Sequence, residues 1–357
     1  MPPDFRADAL NRWLQQQRPD LPPAQLLGAD ASFRRYFRSQ NAADRVVIMD
    51  APPEREAVLP FITIAELLQA LGVRAPRILA ADTTQGFVLL EDLGDLTFTR
   101  ALKQGHAEAT LYQAAAATLV HLQHRWQAQP PVHSLPSYDT PLLQRELALF
   151  LDWYWPAYTG NPVPESVREH YHSAWDSILA QLPPLPDTLV LRDYHVDNLM
   201  LLPEHATRPV QRDYNRSAPL SNFSHQPNPL AAGTCAVLDF QDAVIGSPAY
   251  DWVSLLEDAR RDVSPEVSAA ILDAALSTLP WPAEDFLQHY RVLGVQRSLK
   301  ILGIFQRLKQ RDGKPDYLRH QPRLWRLVHQ GLCYPELEPV HAWFARYINA
   351  EGRPCVP

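Results

Sequence analysis

Two short segments constrain this chain more than any others: Leu191-Arg192-Asp193-Tyr194-His195-Val196-Asp197-Asn198 and Ala236-Val237-Leu238-Asp239-Phe240-Gln241-Asp242. Each ends an apolar, strand-like run with ionisable residues, and a carboxylate there is costly to bury unless it is paired or bound to a cation. The first spaces an aspartate and an asparagine as Asp-x₄-Asn; the second contributes another aspartate. A carboxylate that accepts a hydroxyl proton, beside an asparagine and an aspartate that hold Mg²⁺ against nucleotide phosphates, is the core apparatus of phosphoryl transfer. Asp193 is therefore the candidate catalytic carboxylate, with Asn198 and Asp239 the candidate metal ligands. Either segment alone arises often by chance. Both in this order, each flanked by strand-like runs, are far more specific.

At 357 residues the chain can bury a large core, as one bilobal unit or two domains. A net charge of −7 argues against nucleic acid or an anionic membrane as partner, since both require a basic face. Cys235, Cys333 and Cys355 show no paired spacing, which fits a reduced cytoplasm better than a disulfide framework or a zinc site. The opening Met1-Pro2-Pro3-Asp4 carries prolines and acid where a secretory signal would be basic and then apolar. No apolar run approaches a membrane span. A cytoplasmic protein is expected, and nothing in the sequence sets its oligomeric state.

Apolar spacing predicts a helix over 8–17, strands over 33–39 and 45–49, a helix over 56–71 ended by Gly72, and strands over 77–81 and 86–90. Beyond residue 96 the pattern turns helical: 107–124, 142–154, 166–182, 264–279, 284–309 and 322–328. Strands around one helix followed by a helical remainder predict an α+β fold, with a small lobe over 1–93 and a larger one over 94–357. Residues 203–234 are rich in Pro, Asn, Ser, Arg and Gln without periodicity and are expected to form a long mobile insertion.

Organisation and motifs together resemble the aminoglycoside-phosphotransferase-like branch of the protein-kinase-like fold, across nearly the whole chain. Within that branch, Ala31-Ser32-Phe33-Arg34-Arg35-Tyr36-Phe37-Arg38, Met49-Asp50-Ala51-Pro52, Leu238-Asp239-Phe240-Gln241-Asp242-Ala243 and Arg311-Asp312-Gly313-Lys314-Pro315 resemble the bacterial anomeric amino-sugar kinases. The resemblance implies a bilobal fold with an antiparallel small-lobe sheet and a mostly helical large lobe. It implies ATP and Mg²⁺ as cofactors, and N-acetylmuramate and N-acetylglucosamine as acceptors in peptidoglycan recycling. The pattern also departs from the kinase one. Leu191 stands where protein kinases carry His, and Gln241 where a glycine usually follows the Asp-Phe pair. Met49 stands where the phosphate-binding lysine would be, and residues 30–35 replace a Gly-rich loop. The phosphates then need another cation, and Arg34 or Arg35 is the natural one. Strand neighbours face opposite ways, so only one of the two can serve.

The stretch Leu89-Leu90-Glu91-Asp92-Leu93 is the expected hinge, with Glu91 and Leu93 beside the nucleobase. Asp242 either contacts the sugar or caps the next segment. Arg260, Arg297 and Lys300 are acceptor candidates because a carboxylate-bearing sugar needs a cation; the ordinary reading of Arg260 is a solvated helix face. Asp251 reads as an N-cap or a buried brace for the catalytic loop, and His195 as a structural hydrogen-bonding group. Glu66 lacks the lysine it would pair with. Two rivals remain open: a kinase of the same fold acting on an aminoglycoside, choline or another small alcohol, and a nucleotide-binding regulator without turnover. Retention of Asp193, Asn198 and Asp239 together argues against the second.

Overall fold

In the computed structural model, which describes residues 4–29, 33–42, 44–128, 135–202, 234–349 and 351–354, the chain divides into two compact units. Unit 1 comprises 1–125 and 196–242; unit 2 comprises 126–195 and 243–357. Helices that follow the sheet stay with it, and the chain passes from one unit to the other inside the Asp-x₄-Asn segment, between His195 and Val196.

Unit 1 opens with α1 (Phe5–Gln17), capped by Asp4, whose carboxylate accepts from the Ala7 N–H. Strands β1 (Gln25–Ala29), β2 (Arg35–Gln40) and β3 (Arg45–Asp50) follow, then α2 (Leu59–Ala70), β4 (Ile78–Asp82) and β5 (Phe87–Glu91). The strands form one antiparallel sheet in the order β1-β2-β3-β5-β4. Alternation sorts its side chains. Phe37, Val46, Ile48, Phe87 and Leu89 pack with Leu10, Trp13 and Leu14 of α1, while Tyr36, Arg38, Val47 and Leu90 line a cavity. The tight β4–β5 turn requires Gly86: its φ is +77°, and a Cβ there would lie 1.9 Å from the Ala51 carbonyl oxygen. Strand β1, a short run of low β character, was not anticipated. Helices α3 (Phe98–Lys103) and α4 (Glu108–Ala128) complete this part of the unit.

Unit 2 begins with α5 (Thr140–Leu149), which runs through a π-helical turn (Phe150–Tyr154) into α6 (Trp155–Thr159). Next come α7 (Glu165–Leu179) and the short strand β6 (Thr188–Val190). Back in unit 1, β7 (Leu199–Leu201) pairs antiparallel with β8 (Cys235–Val237). The expected insertion separates these two arms, and its residues 203–233 lie outside the described residues. The chain re-enters unit 2 at β9 (Val244–Gly246), which pairs with β6. It ends with α8 (Tyr250–Leu256), α9 (Pro265–Leu276), α10 (Ala283–Asp312), α11 (Gln321–Gly331) and α12 (Glu338–Tyr347).

Helix α10 is the axis of unit 2 and is buried through its middle, from Val292 to Gln306. It approaches the π-helical turn so closely that a Cβ on Gly303 would stand 2.3 Å from the Leu149 carbonyl oxygen. Around that turn Phe150 and Tyr154 stack at 4.9 Å, and Trp325, Phe344 and Tyr171 pack against Phe150. Among the described residues no helix is long and apolar enough to cross a membrane.

Candidate active site

The β7–β8 register sets the geometry of a cluster in unit 1. Leu199 pairs with Val237, so Asn198 and Asp239 emerge at the same end of the hairpin, and the Leu238 N–H donates to the Asn198 carbonyl at 2.9 Å. The side chains follow: Asn198 Nδ2 lies 3.4 Å from Asp239 Oδ2, and Gln241 Nε2 donates to Asp239 Oδ1 at 2.9 Å. Gln241 also reaches Asp242 Oδ2 at 3.4 Å, and its own Oε1 is buried with no hydrogen-bond partner among the described residues. Asp239 has φ +56°, a left-handed backbone that an L-residue adopts at a cost of about 1–3 kcal/mol and that clusters at functional sites. Thr99 Oγ1 donates to Asp197 at 2.5 Å, anchoring the residue before Asn198.

These groups fit a hard cation. Mg²⁺ takes oxygen ligands, few of them from protein, and keeps several waters. A carboxylate, an amide able to turn its oxygen inward and a buried acceptor without a donor suit such an ion and its bound water.

Asn198 and Asp239 lie on the wall of a cavity of about 290 Å³ in unit 1. Its apolar lining includes Leu27, Val47, Phe61, Leu90, Met200 and Phe240, with Glu91, Asp92, Leu93 and Gly94 on the hinge side. Flat apolar walls with one polar edge suit a heteroaromatic base. The edge is rigid. Glu91 pairs with Arg74 and Arg77, its N–H donates to the Arg77 carbonyl at 2.9 Å, and Arg38 spans Asp92 (Nε–Oδ2 2.8 Å) and Asp95 (3.0 Å). The ion pairs with Arg74 and Arg77 hold the Glu91 carboxyl below its usual range against the opposing effect of its burial.

Unit 2 carries a second cluster. Arg192 has φ +69° and is held from three directions. Buried Asp251 accepts the N–H groups of Leu191 (2.7 Å) and Arg192 (2.9 Å), the Arg192 guanidinium pairs with Glu146, and it lies 5.7 Å from the Tyr138 ring. Glu146 also takes Lys300 at 2.8 Å, the Tyr138 hydroxyl and Gln296 at 3.3 Å. Burial would raise its pKa, yet Lys300 and Arg192 outweigh that and hold it ionised. Asp193 follows Arg192, with Arg297 Nη2 at 3.8 Å. Crowding by protein pushes the Asp193 carboxyl up; the cations Lys300, Arg297 and Arg192 push it down further, and the net shift is downward. Its side chain still keeps 54% of its surface open.

The chain matches the family model described as "Phosphotransferase enzyme family" over residues 23–208 and 225–290. It belongs to that family. An N-acetylmuramate/N-acetylglucosamine kinase of Pseudomonas aeruginosa is 37% identical over 356 residues, covering 94% of this chain and 95% of the relative. One of Caulobacter vibrioides is 34% identical, with 92% of each chain covered. Among solved structures, choline kinase LicA from Streptococcus pneumoniae superposes with a TM-score of 0.60 at 13% identity, covering 92% of this chain and 100% of that one. That likeness carries the kinase-like fold.

For a phosphotransferase, the structure sorts the candidate residues clearly. It brings Glu91, Leu93, Asn198 and Asp239 to one cavity, and Arg297 to Asp193. Arg34 and Arg35 are not in the cavity lining. Arg35 lies on the α1 face of the sheet, bound to Asp4 and to fully buried Asp50, which also takes Arg6; its role there is to balance a buried carboxylate. Arg34 is buried and pairs with Glu56 at 3.2 Å. Arg260 is exposed, and its guanidinium donates to His195 Nε2 at 3.1 Å, which puts the imidazole proton on Nδ1. Asp242 is exposed beside Gln241. Asp251 is the brace expected of it, and Glu66 is exposed.

Sequence reasoning missed Arg38 and Glu146. Arg38 was detectable, because it shares strand parity with Tyr36 on the cavity face. Glu146 was not: an acid on a helix reads as solvent-facing until the buried cations around it are seen.

Proposed function

We propose that this phosphotransferase transfers the γ-phosphoryl group of ATP to the anomeric hydroxyl of N-acetylmuramate and N-acetylglucosamine, in peptidoglycan recycling. The observation that carries the reading is the match, over more than nine-tenths of both chains, to curated relatives of that name at 34–37% identity. Features of the site support it.

Asp193 aligns the acceptor hydroxyl and takes its proton. A carboxylate held this firmly ionised is a weak base, adequate for a hemiacetal hydroxyl, which is more acidic than an ordinary alcohol. Arg297, in contact with Asp193, is the acceptor-side cation for a sugar carboxylate, with Arg260 and Asp242 further out. Asn198 and Asp239 hold Mg²⁺, which when bound neutralises charge between the phosphates. Glu91 and Leu93 border the nucleobase, and the Glu91 N–H is engaged by Arg77, so the other backbone groups of this stretch read the base. Arg34 shares the parity of Tyr36 and Arg38 and is the better phosphate partner of the two arginines.

Charge also separates the acceptor classes. A cationic acceptor such as choline or an aminoglycoside requires an acidic surround, whereas Asp193 stands among Arg297, Lys300 and Arg192. ADP formation with Mg-ATP should be measured for N-acetylmuramate, N-acetylglucosamine, kanamycin and choline. Turnover of the two amino sugars only is expected; turnover of kanamycin or choline alone would overturn the acceptor assignment.

A further inference from the structure

Gln241 is the feature of the ion half that no role yet explains. It occupies the position after Asp239-Phe240 where the kinase pattern has glycine, so a side chain has been placed where none is sterically needed. That side chain is 8% exposed. Its amide nitrogen lies between two carboxylates, 2.9 Å from Asp239 Oδ1 and 3.4 Å from Asp242 Oδ2. Its amide oxygen is buried with no donor among the described residues. A buried acceptor left unsatisfied costs about 1–3 kcal/mol, and native structures carry few of them.

We propose that Gln241 is a positioning residue of the ion site, acting through both ends of its amide. Nε2 engages Oδ1 of Asp239 and thereby presents Oδ2, the oxygen on the Asn198 side, to the cation. Oε1 accepts a hydrogen bond from a water that the cation carries. Water on a divalent ion is a strong donor, and Mg²⁺ retains several waters when protein supplies few ligands. Groups that hold the ligands of an ion and its water commonly matter 10–100-fold for affinity. The left-handed backbone of Asp239 adds to the case. A carboxylate on a strained residue needs a second restraint to keep one orientation, and the Gln241 amide supplies it.

This inference rests on the proposed reading that Asn198 and Asp239 hold the ion, and it is independent of the acceptor. The test is Mn²⁺ binding to the full-length protein in the presence of ADP, followed by electron paramagnetic resonance, with thermal melts of each variant. Gln241→Met keeps the length and removes both polar ends; it should weaken Mn²⁺ about 10–100-fold and leave KM for the acceptor unchanged. Gln241→Glu keeps an acceptor but sets a third carboxylate beside Asp239 and Asp242. It should recover Mn²⁺ affinity relative to Gln241→Met while melting lower without metal. Gln241→Asn serves in place of Gln241→Met if that variant does not fold, with the same loss expected.

Mn²⁺ affinity within twofold of wild type in the folded Gln241→Met or Gln241→Asn variant, alongside a large loss in Asp239→Asn, would overturn the inference alone. Unchanged affinity in Asp239→Asn as well would overturn the ion reading on which it rests.

Discussion

The carboxylate clusters of the two units solve opposite electrostatic problems. Around Asp239 the neighbours are amides, Asn198 and Gln241, which orient a carboxylate without neutralising it. Around Asp193 they are cations, Arg297, Lys300 and Arg192, which keep a carboxylate ionised and weakly basic. In the proposed reading, an oxygen that holds a metal retains its charge for the metal, whereas a base for an acidic hydroxyl can share its charge. The backbone is handled alike in both places. Each half carries one non-glycine residue at positive φ, Arg192 or Asp239, and each is restrained by a side chain reaching back: Asp251 in one, Gln241 in the other.

The largest effects should separate the halves outright. Asp193→Asn is expected to lower kcat by roughly 10²–10⁴, the range for a positioned acid–base group, with Mn²⁺ affinity retained. Asp239→Asn should lose metal-dependent turnover and Mn²⁺ binding together. Equal metal affinity in the two variants would erase the contrast.

Next comes the support of the base half. Glu146→Gln leaves Lys300 and Arg192 without their shared carboxylate, and breaking a buried pair from one side costs about 3–5 kcal/mol. Denaturant unfolding should show a loss of that size, with Mn²⁺ affinity unchanged if the protein remains folded. A neutral outcome would mean that Glu146 does not organise the cations.

Smaller effects are expected from the two arginines of the sheet. Arg34→Ala should raise KM for ATP about 10–100-fold, the worth of one charge-assisted hydrogen bond. Arg35→Ala should leave that KM alone and lower Tm, because Asp50 loses one of two guanidinium partners. The reverse pattern would place the phosphate partner on the wrong face of the sheet.

The smallest is a pH effect. Burial pushes the Glu257 carboxyl up to about 7, against a hydrogen bond from Tyr290. The folded state therefore holds a proton that the unfolded chain releases near pH 4, and stability falls as pH rises from there to about 7. Asp251, also pushed up to about 7 by burial, acts in the same direction. In melts between pH 5 and 8, Glu257→Gln should lose Tm less steeply than wild type, by a few degrees over the range. An identical slope would remove Glu257 from the account.

How much of this was legible depended on whether the signal was local. The helices α4, α7 and α10 announce themselves by spacing; the candidates Asp193 and Asp239 stand out by their places after apolar strands, and Asn198 by its spacing from Asp193. The antiparallel small sheet was readable except at β1, where Gln25-Leu26-Leu27-Gly28-Ala29 lacks alternation and is stabilised by its pairing with β2. The expected continuous helix over 142–154 becomes α5 plus a π-helical turn, at the place where Gly303 of α10 comes closest to the Leu149 carbonyl. Long-range balance could not be read at all. Whether Arg35 meets a phosphate or Asp50 depends on which face of β2 it occupies, and only the register with β3 settles that.

The most direct test is the position of the phosphate. Wild-type protein with Mg-ATP and N-acetylmuramate, followed by phosphorus NMR, should yield a sugar phosphate whose phosphorus couples to the anomeric proton, and the same sample with Asp193→Asn should not accumulate it. A phosphorus signal coupled to any other sugar proton, or ADP formed without a phosphorylated sugar, would contradict the account.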